Sequence, residues 1–177
     1  MGLIDKLLGL TFRFPADTIL IVKRAYRFIF AIVICEGVGV LSSIFTIPAI
    51  STWYQVLNKP SFSPPNFIFA PVWIMLYALM GISLVLAIQK ASKKKFNIFL
   101  SLFGFQLLLN FLWSLVFFGL HQPIFGLIDI LALWGSIFYL IIIFWKASRL
   151  ASYLLMPYLF WVSFATLLNI SIVLLNK

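Results

Sequence analysis

The most regular feature of the chain is a series of long apolar stretches separated by short polar segments. A membrane-spanning helix needs about 20 mostly apolar residues, and five stretches meet this requirement. The last four are joined by only three to six residues, which predicts tight connections between neighbouring helices. The pattern therefore predicts an all-α integral membrane protein, a bundle of five transmembrane helices at residues 28–47, 67–89, 96–119, 123–145 and 150–175.

Composition excludes several other classes of protein. Apolar residues make up 64% of the chain and charged residues 10%, whereas soluble domains have about 45–50% and about 25%. The single cysteine, Cys35, has no partner for a disulfide, and one cysteine with one histidine cannot supply the four ligands of a structural zinc ion. We expect no metal site. Cys35 is interpreted as a buried apolar residue and His121 as a polar turn residue rather than a metal or haem ligand.

The net charge of +9 is arranged as in a membrane protein. Eleven of the 13 basic residues lie in the N-terminal segment and in the turns 90–95 and 146–149, on one side of the five-span topology. The positive-inside rule then predicts a cytoplasmic N-terminus, with the 48–66 loop on the other side. The expected partner is a lipid bilayer, not nucleic acid. The expected location is a bacterial cell membrane, or the mitochondrial outer membrane in a eukaryote.

The sequence divides into a basic N-terminal extension, residues 1–27, and a five-helix domain, residues 28–177. The extension lacks the apolar core and the cleavage site of a secretory signal. Apolar and charged positions alternate near residues 2–10, as in an amphipathic helix at a membrane surface. A solvated tail is the alternative.

Two carboxyl groups lie inside predicted spans, where ionisable residues are costly and indicate function by default. Asp129 is interpreted either as a functional group or as a carboxyl that joins helices. For Glu36 the structural interpretation is favoured, because the glycines at 37 and 39 would let a neighbouring helix approach and hydrogen-bond the carboxyl.

Polar and aromatic residues recur at helical spacing on three spans. Gln106, Asn110 and Ser114 are four residues apart and share one face. Such faces are expected to point into the bundle, either as interhelical contacts or as the wall of a small-molecule site. Trp113 and Trp161 lie deep in their spans and suit a flat apolar ligand. The corresponding faces of the second and fifth spans carry Trp73, Tyr77, Met80, Tyr158, Trp161, Ala165 and Asn169.

The 48–66 loop contains four of the eight prolines. Each proline fixes its own φ and restricts the residue before it, so the loop is stiff for its length. Aromatic residues and Lys59 within it predict a lid over the bundle, and a rigid connector is the alternative.

These residues also carry a resemblance to a known family. The segment WYQVLNKPSFSPPNFIFAPVWIMLYALMG, residues 53–81, resembles the first-loop and second-helix signature of the TspO/MBR family of tryptophan-rich sensory and translocator proteins. The segments 106–119 (QLLLNFLWSLVFFG) and 156–169 (MPYLFWVSFATLLN) are similar to motifs of its third and fifth helices. Asp129 stands where its fourth helix has an Asp. The likeness runs in order from about residue 30 to 170.

The resemblance implies a five-helix bundle, often dimeric, with a ligand cavity closed by the first loop. Members bind porphyrins, and some bind sterols and benzodiazepine-type ligands, so a porphyrin is the implied ligand and no cofactor is required. For a homodimer, the small-residue pairs Gly39/Ser43, Ala132/Ser136 and Ala147/Ala151 offer contacts that serve equally well within one bundle. The ligand-binding residues implied by the motifs are Trp53, Tyr54, Trp73, Asn110, Trp113, Trp161 and Ala165.

The sequence departs from the family pattern at two places. Phe62 stands where members commonly have Trp, which keeps the ring and removes the N–H donor. Ile170 follows Asn169, so the Tyr-plus-basic sterol segment of animal members is missing, and sterol recognition through it is not expected.

Three functions remain open on the sequence alone. The first is a membrane receptor or sensor for porphyrin-type and other flat hydrophobic ligands. The second is an enzyme that degrades porphyrins with light and oxygen, for which Trp73 and Trp161 are the implied residues. The third is a transporter of tetrapyrroles or lipids, supported by Glu36 and Asp129. Because no acid–base machinery is present, an enzyme is less expected than a binding protein.

Overall fold

The computed structural model describes residues 16–177, with side chains from residue 21 onward, so the amphipathic segment expected near residues 2–10 lies outside the described residues. Within residues 16–177 five helices are long and apolar enough to span a membrane and no strand occurs, which confirms the all-α membrane fold. The spanning helices are α1 (Ala16–Ser51), α3 (Phe69–Ile88), α4 (Lys93–Ser114), α5 (Pro123–Trp145) and α6 (Arg149–Leu175). The α1–α3 connection contains a short helix, α2 (Trp53–Val56), and a 3-10 turn, Asn66–Ile68.

Helix α1 extends beyond the predicted span 28–47 at both ends. It continues past Pro48 to Ser51, although the residue before a proline usually leaves the helical conformation. In a bilayer the backbone groups need partners within the protein, and side-chain hydroxyls help the helix to tolerate a proline. At the end of α1 the hydroxyls of Ser51 and Thr52 donate to the Pro48 carbonyl at 3.1 and 2.8 Å, which satisfies one of the last carbonyls of the helix.

The five long helices form a ring in the order α1, α3, α6, α5, α4, closed by contacts between α4 and α1. Helices α1 and α3 approach each other closely at two glycines. Gly81 of α3 lies against the backbone of Ala31 and Ile32, and Gly39 of α1 lies against the ring of Tyr77. Glycine at these two positions lets the helices meet without an intervening side chain. The close approach expected from the glycines at 37 and 39 is present at Gly39 only, since an added Cβ at Gly37 would meet nothing within 4 Å. The expected hydrogen bond from a neighbouring helix to the Glu36 carboxyl is not formed among the described residues.

The half of the bundle nearer the basic turns is filled with side chains. Phe99 and Phe144 pack with ring centroids 5.0 Å apart, and both are buried. Ser83 donates from its hydroxyl to the Ala151 carbonyl at 2.7 Å and ties α3 to α6. Cys35 has no exposed surface and belongs to this core, as expected from the sequence.

The last turn before the α4–α5 connection is a π-helical segment, Leu115–Gly119, that the sequence pattern did not predict. Such widened turns are frequent at functional sites. This one buries two consecutive rings, Phe117 and Phe118. His121 follows with φ of 56°, a left-handed turn conformation in which histidine is enriched.

The three small-residue pairs have different environments. Gly39 and Ser43 face the inside of the bundle, and Ala151 is fully buried with Ala147 partly buried. Two pairs therefore serve contacts within the bundle. Ala132 and Ser136 remain on the outer side of α5.

Candidate functional site

A cavity of about 310 Å³ lies in the half of the bundle away from the basic turns, between α1, α3, α4 and α6. Its volume falls at the lower end of the range of small-molecule sites, about 300–1,000 Å³. Aromatic side chains of α3, α4 and α6 form most of its inner wall, and Tyr54 of α2 lies over it.

Five of the seven ligand-binding residues expected from the sequence line this cavity. The indole of Trp73 packs against the ring of Tyr77 at 5.4 Å and that of Trp161 against Phe69 at 5.9 Å. The cavity is therefore walled by indoles from three different helices. The five expected residues in the lining are Tyr54, Trp73, Trp113, Trp161 and Ala165.

Trp53 lies outside the cavity lining. Its ring stacks on His121 with centroids 4.6 Å apart and meets the edge of Phe117 at 5.5 Å. This packing holds α2 against the α4–α5 connection, so Trp53 supports the roof without facing the cavity. His121 acts here as a stacking turn residue, and the part of the chain that the structure describes contains no cluster of metal-binding side chains.

Asn110 also lies behind the cavity wall, at the centre of a buried hydrogen-bond chain. The Tyr77 hydroxyl donates to Asn110 Oδ1 at 2.5 Å, and Asn110 Nδ2 donates to the Tyr158 hydroxyl at 2.9 Å. The Tyr158 hydroxyl in turn donates to Gln106 Oε1 at 3.1 Å. All four residues are buried, which confirms that the polar face of α4 points into the bundle. The chain links α3, α4 and α6 and reaches the cavity only at Tyr77.

The fourth wall, on α1, was missed by sequence reasoning. Glu36, Gly39, Ser43 and Thr46 all line the cavity, and their spacing of three, four and three residues places them on one helical face. This spacing was the feature of the sequence that could have predicted the α1 wall. Asp129, the other intramembrane carboxyl, is not among the lining residues, and its Oδ2 is buried without a partner among the described residues.

The cavity opens sideways between α1 and α3. Val40 and Ile47 of α1 and Ile74 of α3 line it and are 65, 67 and 60% exposed. Because this surface faces the hydrocarbon layer, apolar molecules dissolved in the membrane meet the cavity there without crossing water.

The segment that follows α2 folds back onto Tyr54 through Lys59. Lys59 donates from Nζ to the Tyr54 carbonyl at 3.1 Å and lies 4.7 Å from the centre of the Tyr54 ring. Burial raises the pKa of the Tyr54 hydroxyl, with the Ser63 side chain acting in the opposite direction. Tyr54 therefore remains uncharged at neutral pH, and the roof of the cavity carries no phenolate.

The same segment, residues 57–65, is fastened to the end of α6 by two asparagines. The backbone N–H of Asn58 donates to Asn176 Oδ1 at 2.9 Å, and Asn176 Nδ2 donates to the backbone carbonyl of Asn58 at 2.9 Å. This reciprocal pair connects positions 118 residues apart. It fastens the loop to the bundle, as either a lid or a rigid connector requires, and none of residues 57–65 lines the cavity. The interpretation of the loop as a lid therefore stays a prediction.

We expect Asn176→Ala to release this lid without unfolding the bundle. Two hydrogen bonds at about 1 kcal/mol each are lost, which corresponds to roughly a thirtyfold rise in lid opening. Hydrogen–deuterium exchange of residues 57–65 should accelerate accordingly. Ser171→Ala is the matched control, because that exposed hydroxyl bonds only to Leu167 of its own helix. Equal exchange in the two variants would show that the pair does not hold the lid.

Comparison with known proteins gives a family match. The model of the TspO/MBR family matches residues 31–175, a range that includes the whole cavity lining. The chain is similar to "Tryptophan-rich protein TspO" of Chlorobaculum tepidum, 42% identical over 155 residues, 87% of this chain and 98% of that protein. The protein of that name from Archaeoglobus fulgidus is 44% identical over 79% of this chain and 90% of its own. The human "Translocator protein" is 38% identical over 66% of this chain and 70% of its own.

Proposed function

Because this chain belongs to the TspO/MBR family, we propose that it is a membrane receptor or sensor that binds porphyrin-type and other flat apolar molecules in its cavity. Its relatives include proteins named as tryptophan-rich sensory and translocator proteins. The observation that carries the proposal is the set of three indoles, Trp73, Trp113 and Trp161, around one cavity.

Flat aromatic ligands are favoured by the chemistry of these walls. Aromatic pairs gain about 0.5–1.5 kcal/mol beyond the burial of their area when they stack or meet edge to face. A macrocycle inserted from the membrane would meet an indole on each of three helices. With a volume of about 310 Å³, the cavity holds the core of such a ligand, and we expect its substituents to lie at the mouth between α1 and α3.

The proposed orientation rests on the distribution of basic residues. We propose that the end of the bundle with the basic turns faces the cytoplasm, so that the lid and the cavity lie towards the opposite surface. A bacterial cell membrane is the proposed location. For a homodimer, the proposed contact is the outer side of α5 around Ala132 and Ser136.

We expect Trp161→Ala to weaken protoporphyrin binding by about tenfold, because one aromatic wall is lost. Binding is measured in detergent from the shift of porphyrin absorbance, so that removal of an indole does not alter the signal. Trp145→Ala is the matched control. Its indole is partly exposed, lies against Arg149 and Tyr153, and does not line the cavity.

Unchanged affinity in both Trp161→Ala and Trp113→Ala would place the ligand elsewhere. A degradative activity is the second candidate, because Trp73 and Trp161, the two residues implied for it, both line the cavity. It would appear in the same samples as light-dependent loss of porphyrin absorbance that needs these two indoles.

A further inference from the structure

The cavity has two chemically different sides. The sides formed by α3, α4 and α6 are largely aromatic, whereas the α1 side presents Glu36, Ser43 and Thr46. Such a division is unnecessary for a ligand that is apolar all round. A flat molecule that stacks on the indoles is held with one edge towards α1, so the groups on α1 determine which edge is accepted.

The hydroxyls on α1 are largely occupied by their own helix. Ser43 donates to the Val40 carbonyl at 2.7 Å and Thr46 to the Ser42 carbonyl at 3.1 Å. The buried Ser42 hydroxyl lies near that of Tyr77 without hydrogen-bonding geometry. Their free lone pairs can still accept hydrogen bonds from a ligand.

Glu36 is the one acidic group of the lining, and no lysine, arginine or histidine joins it among the described lining residues. No hydrogen-bond donor or cation among the described residues acts on its carboxyl. A carboxyl group in the middle of a membrane span is costly and needs a compensating partner. A donor brought by a ligand would supply that partner and would form a charge-assisted hydrogen bond.

We propose that Glu36 selects ligands that present a hydrogen-bond donor, above all a protonated amine, at the edge facing α1. This inference rests on the proposed function, because it takes the cavity to be the ligand site. Three acceptor groups, the Glu36 carboxylate and the Ser43 and Thr46 hydroxyls, face the donor edge. Carboxylate substituents are disfavoured on this side and are directed to the mouth of the cavity.

The test compares three probes that share one macrocycle: protoporphyrin, its neutral dimethyl ester, and its bis(aminoethyl) amide. Dissociation constants are measured at pH 7 for the wild type and for Glu36→Gln, which keeps the size of the side chain and removes the charge. We expect the substitution to weaken binding of the amine probe by about tenfold. Binding of the dimethyl ester should stay within about twofold, and binding of the dicarboxylate should tighten.

Asp129→Asn is the matched control, since it neutralises an intramembrane carboxyl that does not line the cavity. Glu36→Asp, which retains the charge, should keep most of the preference for the amine and also guards against misfolding of the Gln variant. Equal effects of Glu36→Gln on all three probes, with saturable binding retained, would overturn this inference alone. Absence of saturable binding of every probe by the wild type would overturn the proposed function, and this inference with it.

Discussion

Gly81→Ala is expected to be the most damaging single-methyl substitution in the bundle. A Cβ at this position would lie 2.7 Å from the Ile32 nitrogen, 2.8 Å from the Ile32 Cα and 2.9 Å from the Ala31 carbonyl carbon. These are backbone atoms, so no side chain can rotate away and α1 must move as a whole. Overpacking of a core costs about 1–3 kcal/mol, or more where the backbone is displaced. We expect a thermal midpoint at least 5–10 °C lower in detergent, roughly the shift for such a loss.

Gly37→Ala is the matched control for this prediction. It lies in the same pair of helices, but a Cβ there meets nothing within 4 Å. Replacement of a helical glycine by alanine in open space gains about 0.5–1 kcal/mol from backbone entropy. The two variants should therefore shift the midpoint in opposite directions. Similar midpoints would contradict the close contact between α1 and α3, on which the position of the α1 cavity wall depends.

Asn110→Leu is expected to have the second largest effect. The substitution leaves the buried Tyr77 hydroxyl without its acceptor and removes the donor to Tyr158. Hydrogen bonds between membrane helices are modest on average, about 0.6 kcal/mol, but a buried group left unpaired costs about 1–3 kcal/mol. The cost of an unpaired buried group applies here because the Tyr77 and Tyr158 side chains are both buried. We expect a loss of about 2 kcal/mol or more, measured by reversible unfolding in mixed micelles.

Tyr77→Phe separates this explanation from simple loss of packing. Alone it removes one hydroxyl, and in the Asn110→Leu background it removes the group that the first substitution left unpaired. The double variant should therefore be more stable than the sum of the two single losses predicts. Strict additivity would show that the two residues do not share one hydrogen-bond chain.

The sequence predicted the fold well because the membrane restricts it so strongly. Each backbone group in the hydrocarbon layer needs an internal partner, so every apolar stretch of sufficient length becomes a helix. The errors lie at helix ends. The first span was predicted at residues 28–47, whereas α1 continues past Pro48 to Ser51. The π-helical turn at 115–119 left no periodic signal, because its neighbours are apolar on all sides.

The site was predicted only in part, and the reason is again physical. Indoles deep in a span stand out, and Trp73, Trp113 and Trp161 do line one cavity. Asn110 was expected beside them from the resemblance, but its amide is used within the core. Gly37 and Gly39 beside Glu36 were interpreted as helix-packing residues, so the shared helical face of Glu36, Ser43 and Thr46 was not recognised as a cavity wall.

Binding of a flat macrocycle in the cavity is tested by a protoporphyrin titration of the wild-type protein, purified in detergent and kept in the dark. Quenching of the cavity indoles reports occupancy. We expect saturable quenching of the indole fluorescence that ends at one porphyrin per chain, because one cavity is walled by three indoles. Quenching that rises linearly without saturation, as it does for porphyrin dissolved in empty micelles, would contradict it.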